Sequence, residues 1–424
     1  MVFLYRVGIS LYSGAIYIAS FFYTKAKLFR EGRQNWQSRL REYLQKNSFK
    51  EVAWFHVSSL GEFEQARPLI EMFRKSYPCY KIVLTFFSPS GYEVRKNYEK
   101  ADLITYLPLD SPQNAEEFIE IIKPTIVFFT KYDFWYFYLK ALYEKQIPLI
   151  CFSATFRPNQ VFFQWYGTFF RRMLRFFSII LVQNEDSLKL LFSIEIKHAA
   201  ICGDTRFDRV VEIFQRRTEI PKIKEFVKNT PTLVVGSSWK EDIELLADAF
   251  KDWYKPIKII IAPHELSEKN YRFIETSFSD FKIEYYSKLS DTNATILIID
   301  NIGMLSSLYQ YGQFAYVGGA FGKGLHNILE AAVYGIPIFF GNKNFTKFQE
   351  AIRLLQAGGA FVVADYIEFR KLFREMYKNE GFRQSAGKVS YDFVRYHTGA
   401  TSRILSYVEQ YLKDCEKVSF SEKK

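Results

Sequence analysis

Apolar runs of strand length alternate with amphipathic runs of helical spacing, and this pattern constrains the fold more than any other feature of the sequence. In the amino-terminal half, the runs that predict buried strands read AWFHVSS, KIVLTFFS, TIVFFT, PLICFSA and IILVQN. Segments with helical spacing lie between them and read EQARPLIEMFRK, PQNAEEFIEIIK and FWYFYLKALYEK. Because strands joined by crossover helices run parallel, the pattern predicts a doubly wound sheet.

The pattern breaks in a charged stretch at residues 204–231 and then restarts with TLVVGSS, IKIIIAPH, TILIID, FAYVGG, PIFFGN and FVVA. A chain of 424 residues is long enough for two cores. We therefore predict an α/β protein of two Rossmann-like domains facing a central cleft, where the carboxyl ends of the strands meet. The predicted divisions are a membrane anchor at 1–25, a first domain at 26–208, a second domain at 209–389, and a helix at 390–424 that crosses back to the first domain.

The amino terminus carries an uncharged apolar run from Val7 to Tyr23, followed by the basic residues Lys25, Lys27, Arg30 and Arg33. This run is near the shortest length that spans a bilayer, and its basic flank predicts that the body of the protein stays in the cytoplasm. A helix lying in the plane of the interface fits the segment equally well, and a buried core helix is the alternative. We predict a membrane-anchor helix.

The net charge of +11 favours an anionic partner, such as a phospholipid surface, a phosphorylated substrate or nucleic acid. The sequence contains no paired zinc ligands and no aromatic ribonucleoprotein motif, so we predict no nucleic-acid partner. The four cysteines lack paired spacing, so we predict no structural zinc site, and no motif indicates a cofactor.

Residues 315–342, AYVGGAFGKGLHNILEAAVYGIPIFFGN, predict a strand, a glycine-rich turn, a helix and a second strand. Such a turn lets a ligand approach the backbone, and the start of a helix attracts anions. Asn327 and Glu330 have the spacing of a helix cap. A carboxylate at this position also suits the hydroxyls of a ribose, and the residues alone do not separate these two interpretations.

This stretch resembles the nucleotide-sugar site of type-B glycosyltransferases. It is most similar to the GGHNxLEPAxxGxPxxxGP region of 3-deoxy-D-manno-octulosonic acid (Kdo) transferases. The resemblance implies a CMP-Kdo site with Glu330 on the ribose. Further donor-site residues follow from GDTRFD, VVGSSWKEDIELL and IIAPHELSE, which resemble GNxKFD, S-T-H-x-x-E and IVPRHPER of the family. The donor-binding residues predicted in this way are Arg206, Ser237, Ser238, His264, Gly318, Gly319, His326, Asn327 and Glu330.

The segment WFHVSSLGEFEQARPLI resembles the family motif W-x-H-x-x-S-x-G-E, which implies that Glu62 is the general base. The alternative is that Glu62 only favours the dipole of the helix that begins there. Where most members have METELWPN, this chain has TKYDFWYF, so Lys131 replaces the first acid and Asp133 the second. The role of that first acid therefore does not transfer to this chain.

Residues 162–177, FFQWYGTFFRRMLRFF, combine aromatic rings with arginines. They suit a helix in the lipid headgroup layer, and a crossover helix with an aromatic core face fits as well. The acceptor in the family is the phosphorylated disaccharide of a lipid A precursor, which such a patch suits. The predicted acceptor-binding residues are Ser59, Gly61, Lys131, Arg171 and Arg172.

The resemblance thus implies a Kdo transferase that uses CMP-Kdo and lipid IVA in lipopolysaccharide biosynthesis, with inversion and without a metal. It would act at the cytoplasmic face of the bacterial inner membrane, on an anionic surface. Two alternatives remain: another nucleotide-sugar transferase or epimerase of the same fold, and a non-catalytic, basic membrane-surface protein that binds nucleotides.

Overall fold

The computed structural model describes residues 1–47 and 49–412, which form two compact units. One unit comprises Met1–Arg209 together with the chain from Gly399, and the other comprises Val210–Thr398. Each unit is built on one parallel sheet, as the alternation of strands and helices predicts. The α/β class is therefore confirmed.

The first sheet has the strand order β3-β2-β1-β4-β5-β6-β7 within the described residues. Successive residues of β1 point into two different cores, with Val52 and Trp54 on one side and Ala53 and Phe55 on the other. Helices therefore cover both faces, which explains why the central strands read as continuous apolar runs. The strands are Glu51–Val57 (β1), Tyr80–Phe86 (β2), Leu103–Tyr106 (β3), Ile126–Thr130 (β4), Leu149–Ala154 (β5), Ile179–Val182 (β6) and Ala199–Ile201 (β7).

The helices of this part of the chain begin with three at the amino terminus that precede β1, and most of the others connect successive strands. They are Val2–Ala19 (α1), Thr24–Glu31 (α2), Trp36–Lys46 (α3), Leu60–Ser76 (α4), Pro89–Arg95 (α5), Pro112–Ile122 (α6), Tyr136–Glu144 (α7), Thr168–Leu174 (α8), Glu185–Ser193 (α9) and Thr205–Gln215 (α10).

The second sheet has the order β10-β11-β9-β8-β12-β13-β14 among the described strands. These are Thr232–Ser238 (β8), Lys258–Pro263 (β9), Ile283–Tyr285 (β10), Ile296–Ile298 (β11), Phe314–Val317 (β12), Ile338–Gly341 (β13) and Ala360–Val363 (β14). The helices are Pro221–Val227 (α11), Lys240–Phe250 (α12), Glu268–Ser277 (α13), Leu305–Leu308 (α14), Leu329–Ala332 (α15), Gln349–Ala357 (α16), Tyr366–Lys378 (α17) and Glu380–Tyr396 (α18). Short 3₁₀ helices lie at Val161–Phe163, Tyr286–Lys288, Tyr309–Tyr311 and Glu409–Tyr411.

The carboxyl-terminal segment is two helices where the sequence predicts one. Helix α18 ends at Tyr396, and Ala400–Val408 (α19) follows after Gly399, whose φ of 91° only glycine adopts readily. The Asp208 carboxylate accepts hydrogen bonds from the backbone N–H groups of Gly399 and Thr401 and thereby caps α19. Helix α19 packs on the core of the first unit through Ile404 and Val408. The predicted helix beyond residue 412 lies outside the described residues.

Helix α1 is long and apolar enough to cross a membrane, and it is the one such helix in the described chain. One face of it nevertheless packs on the first unit. The Tyr5 ring lies among Tyr136, Phe137 and Phe169, and its hydroxyl donates to the buried Asp110 carboxylate at 2.6 Å. The other faces of α1 carry exposed apolar side chains, namely Phe3, Leu4, Leu11, Tyr17 and Ile18.

Candidate active site

Glu62 lies in the first turn of α4, just beyond the carboxyl end of β1. Ser59 is the N-cap of this helix, and its hydroxyl accepts a hydrogen bond from the Glu62 N–H at 3.5 Å. The Glu62 carboxylate accepts a hydrogen bond from the Ser58 N–H at 2.6 Å. The sequence therefore places a carboxylate at the end of a central parallel strand, and the cap and this backbone bond fix its position.

A second acid, Asp133, lies beside Glu62. The Ser58 hydroxyl donates to the Asp133 carboxylate, and the His56 Nε2 atom lies 2.9 Å from the same oxygen. The Trp135 indole N–H donates to the same Nε2 atom at 3.3 Å, and the His56 Nδ1 atom lies 2.8 Å from the Thr85 hydroxyl. His56 is fully buried and thus holds Asp133 in place. This connection is not evident from the sequence, because it depends on β1 and β4 being neighbours.

The environment of Glu62 favours its protonated form. Burial is the largest cause and the charge of Asp133 the second; together they raise the pKa of Glu62 from 4.5 to about 7, against the lowering effects of the Ser58 N–H and the Lys131 charge. A carboxylate with a pKa near neutrality is suited to accept a proton in a reaction and to release it afterwards.

The predicted acceptor residues differ in their environments. Gly61 is exposed, and a Cβ atom added to it would meet no other atom within 4 Å; Lys131 follows β4 in a left-handed conformation with φ of 62°. Arg172 is exposed on α8, whereas Arg171 donates to the carbonyl of Gln164 at 3.2 Å and so helps to hold its own loop. Ser59 serves as the helix cap described above.

The aromatic segment 162–177 is not one continuous helix. A 3₁₀ turn at Val161–Phe163 and the short helix α8 divide it, because the loop between them closes at Gly167, where a Cβ atom would lie 1.9 Å from the Val161 carbonyl. Phenylalanines at 162, 169, 176 and 177 are buried in the core, whereas Trp165 is 89% exposed. The core interpretation therefore holds for these phenylalanines.

In the second unit, the predicted donor-site residues gather at the carboxyl ends of β8, β9 and β12. The Trp239 ring stacks on His264 with centroids 4.5 Å apart, and the His264 ring lies 4.5 Å from that of His326. The Trp239 indole N–H donates to the His326 Nε2 atom at 3.1 Å. Three strand ends thus build one aromatic cluster, in which Trp239 replaces the histidine that the family motif has.

The cluster also contains a buried hydroxyl and a cation. The Ser238 hydroxyl has no hydrogen-bond partner among the described residues although the residue is buried. The Lys323 ammonium lies 4.2 Å from the Trp239 ring centroid, and no motif in the sequence indicates a role for Lys323. Burial lowers the pKa of His264 below 6.5 and that of His326 to about 4. Both imidazoles are therefore neutral at pH 7, and Lys323 supplies the positive charge.

Gly318 and Gly319 are required by the packing of the unit itself. The Gly319 N–H donates to the buried Asp242 carboxylate at 2.9 Å, and the Gly318 N–H donates to the Gly236 carbonyl at 2.9 Å. A Cβ atom on Gly318 would lie 2.5 Å from the Ser237 carbonyl, and Gly319 has φ of 96°. The N–H groups of both glycines are therefore already bonded within the unit.

The helix predicted after the glycine-rich turn is much shorter than expected, since α15 covers only Leu329–Ala332 and its N-cap is Ile328. Asn327 accepts from the Leu329 N–H at 3.2 Å, and its amide donates to the Glu330 carboxylate at 3.2 Å. The N-cap assignment for Asn327 is thus wrong by one residue. A single turn has too small a dipole to form an anion site by itself.

Arg206 lies on α10 in the first unit, whereas the other predicted donor-binding residues belong to the second unit. Its guanidinium pairs with the buried Asp204 carboxylate at 2.7 Å. Burial would raise the pKa of Asp204, but the charge and hydrogen bonds of Arg206 outweigh burial and keep that pKa lowered. Across residues 1–47 and 49–412, no group of three or more His, Cys, Asp or Glu side chains is arranged to hold a metal ion.

Comparison with known proteins agrees with the resemblance seen in the sequence. Residues 34–209 match the family model of 3-deoxy-D-manno-octulosonic-acid transferases (kdotransferases). The chain is 27% identical to the 3-deoxy-D-manno-octulosonic acid transferase of Aquifex aeolicus, over 71% of this chain and 80% of that protein. It is 23% identical to the protein of that name from Haemophilus influenzae, over 85% of this chain and 87% of the relative.

Solved structures support the architecture. The UDP-GlcNAc 2-epimerase of Neisseria meningitidis superposes with a TM-score of 0.62 and 16% identity, over 85% of this chain and all of that one. MurG of Acinetobacter baumannii gives a TM-score of 0.56 at 12% identity, over 85% of this chain and all of that one. These likenesses show the fold alone, which is the type-B glycosyltransferase fold. The family match over residues 34–209 and the curated relatives show that the chain is similar to the Kdo transferases, a family of glycosyltransferases.

Proposed function

We propose that the protein transfers Kdo from CMP-Kdo to a hydroxyl of lipid IVA, the phosphorylated and acylated disaccharide precursor of lipid A. The observation that carries this proposal is the Glu62 carboxylate, buried at the end of β1 with a pKa raised to about 7, in a chain that is similar to the Kdo transferases. A sugar hydroxyl is a poor nucleophile, and a base of this pKa can remove its proton as the new bond forms.

In the proposed mechanism, the acceptor hydroxyl donates its proton to the Glu62 carboxylate while its oxygen attacks the anomeric carbon of Kdo. The bond from that carbon to the phosphate oxygen breaks through an oxocarbenium-like transition state, and CMP leaves. Attack on the face opposite to the leaving group inverts the anomeric configuration. Asp133 is a positioning residue in this scheme: it is held by His56 and Ser58, and its charge raises the proton affinity of Glu62.

The second unit binds the donor in this proposal. Lys323 and the Ser238 hydroxyl contact the phosphate, the neutral His264 and His326 provide hydrogen bonds, and Glu330 holds the ribose hydroxyls. We propose that protein cations, including Arg206, offset the charge of the leaving phosphate without a metal. Ser237, Gly318 and Gly319 then shape the site through packing, and Asn327 orients Glu330 through its amide.

We further propose that α1 lies in the plane of the cytoplasmic face of the inner membrane. Contacts of Tyr5 and Tyr12 with the rest of the first unit hold one side of the helix against the protein. Its exposed apolar side chains then face the lipid, and Lys25, Lys27 and Arg30 lie next to anionic headgroups.

Mass spectrometry of the product from CMP-Kdo and lipid IVA tests the reaction directly. We expect a product heavier than lipid IVA by one or more Kdo units, at an unchanged rate in the presence of EDTA, with an inverted anomeric centre in the NMR spectrum. An unmodified acceptor in the presence of CMP-Kdo would refute the transfer, and loss of activity with EDTA would refute metal independence.

A further inference from the structure

An apolar groove of about 550 Å³ lies in the first unit, between the amino-terminal helices and the loop after β2. Its volume lies within the range of small-molecule sites in proteins. The residues that line it include Tyr12, Ile16, Lys25, Phe29, Phe87 and Ser88.

Three aromatic rings form the fixed wall of this groove. The Phe29 ring meets the Phe87 ring edge to face at 5.3 Å, and the Tyr12 ring lies 6.3 Å from Phe87 in a stacked arrangement. Arg33 lies over Phe29 at 3.6 Å and donates to the Phe87 carbonyl at 2.6 Å. Packed rings and a half-buried arginine therefore form this wall of the groove and fix its shape.

The groove is linked to the Glu62 site through packed and hydrogen-bonded residues. The Phe87 ring lies 4.3 Å from the Trp135 ring, whose indole nitrogen is 3.3 Å from His56. The Ser88 N–H donates to the Ser58 carbonyl at 2.8 Å, and Ser58 in turn holds the Glu62 carboxylate. The loop Phe87–Pro89 is thus shared: one side lines the groove and the other supports the candidate base.

We infer that this groove binds one fatty acyl chain of the lipid acceptor, an inference that rests on the proposed function. An acceptor whose sugar hydroxyl reaches Glu62 has acyl chains a few bonds away, and the groove gives such a chain an apolar path toward α1. Ile16 and Phe29 provide the apolar contact, and Lys25 lies at the groove where a phosphate or headgroup can meet it. Transfer of the methylenes of an acyl chain from water to such a site favours binding.

The test compares two acceptors, lipid IVA in detergent micelles and the same phosphorylated disaccharide after complete removal of its acyl chains. Ile16→Trp fills the groove, and Ile18→Trp adds the same ring to the same helix at a residue outside the groove that is 63% exposed. We expect Ile16→Trp to raise KM for lipid IVA at least tenfold and to leave kcat/KM for the deacylated acceptor within twofold. Ile18→Trp should leave both values within twofold.

Equal losses on both acceptors, or no loss on either, would overturn the inference. A wild-type protein that transfers Kdo to neither acceptor would instead refute the proposed function, so the two failures are distinct. If Ile16→Trp does not fold, a lipid IVA analogue with a photoreactive group in one acyl chain provides a second test on the wild-type protein. Labelling of peptides that contain Phe29 or Phe87 is expected, and labelling confined to residues 162–177 would contradict the groove.

Discussion

Replacing Asp133 by asparagine changes the charge beside Glu62 and keeps the shape of the side chain. The pKa of Glu62 lies at about 7 against an ordinary value of 4.5, and burial contributes most to this difference and Asp133 next. A charge within about 4–6 Å typically shifts a pKa by one unit or more. We therefore expect the pKa of Glu62 to fall by about one unit, to roughly 6, in Asp133→Asn.

This shift has a measurable effect on the pH dependence of transfer. A base acts only when it is ionised, so kcat/KM of the wild-type protein should rise with pH and level off above about 7. At pH 6 about a tenth of Glu62 is ionised in the wild type, and about half would be ionised in the variant. Normalised to its plateau, the rate of Asp133→Asn at pH 6 should thus exceed that of the wild type roughly fivefold.

The assay is CMP release over pH 5 to 9 with both substrates present. Glu117→Gln is the matched control, because it also removes one negative charge. The Glu117 carboxylate pairs with Arg41 and is not bonded to Ser58, His56 or Asp133. The pH profile of the control should have its inflection at the same pH as that of the wild type. An Asp133→Asn profile that coincides with the wild type, or that moves to higher pH, would refute the assignment of the inflection to Glu62.

Three further substitutions test other parts of the structure. Gly319→Ala should lower the unfolding free energy by about 1–3 kcal/mol in thermal denaturation, because φ is 96° and a Cβ atom would lie 2.4 Å from the Gly324 carbonyl. The control is Gly322→Ala, since a Cβ atom at Gly322 meets no atom within 4 Å. Tyr5→Phe removes a hydrogen bond to a buried carboxylate and should lower the free energy of urea unfolding by about 1.5–3 kcal/mol. Tyr17→Phe, at an exposed ring, should change that free energy little. Lys323→Met should weaken CMP binding about tenfold in calorimetry, with the exposed Lys371→Met unchanged.

Most strands of both sheets are predictable from the sequence, because strands covered by helices on both faces are continuous apolar runs. The exceptions are short edge strands. Two of these are β3, Leu103–Tyr106, and β10, Ile283–Tyr285. Both contain half-buried residues and lack a long apolar run, so the apolar pattern does not identify them as strands. Strand β7, Ala199–Ile201, escapes notice for the same reason.

The candidate base was predictable, and its neighbours were only partly so. Glu62 follows a clear central strand, and parallel sheets place their functional residues at such ends. The contact of Asp133 with His56 depends on the order of the strands in the sheet, which local spacing does not encode. The resemblance indicated Asp133 as a replaced acid, but its effect on the pKa of Glu62 follows only from the distances in the folded unit.

The donor-site cluster shows a different limit. His264 and His326 were selected from motifs, yet their stacking with Trp239 brings together residues that are far apart in the sequence. Lys323 was missed because a lysine in a glycine-rich turn has no distinctive spacing. The bonded amides of Gly318 and Gly319 were not foreseen either, since the partner Asp242 lies on a different helix of the unit.

The central claim is that Glu62 removes the proton of the acceptor hydroxyl, and Glu62→Gln tests it most directly. Glutamine retains an oxygen that can accept the Ser58 N–H bond but cannot act as a base at neutral pH. Single-turnover transfer from CMP-Kdo to lipid IVA should fall by about 10²–10⁴-fold, while CMP-Kdo affinity in calorimetry stays within twofold of the wild type. A Glu62→Gln protein that transfers Kdo at the wild-type rate would contradict the account.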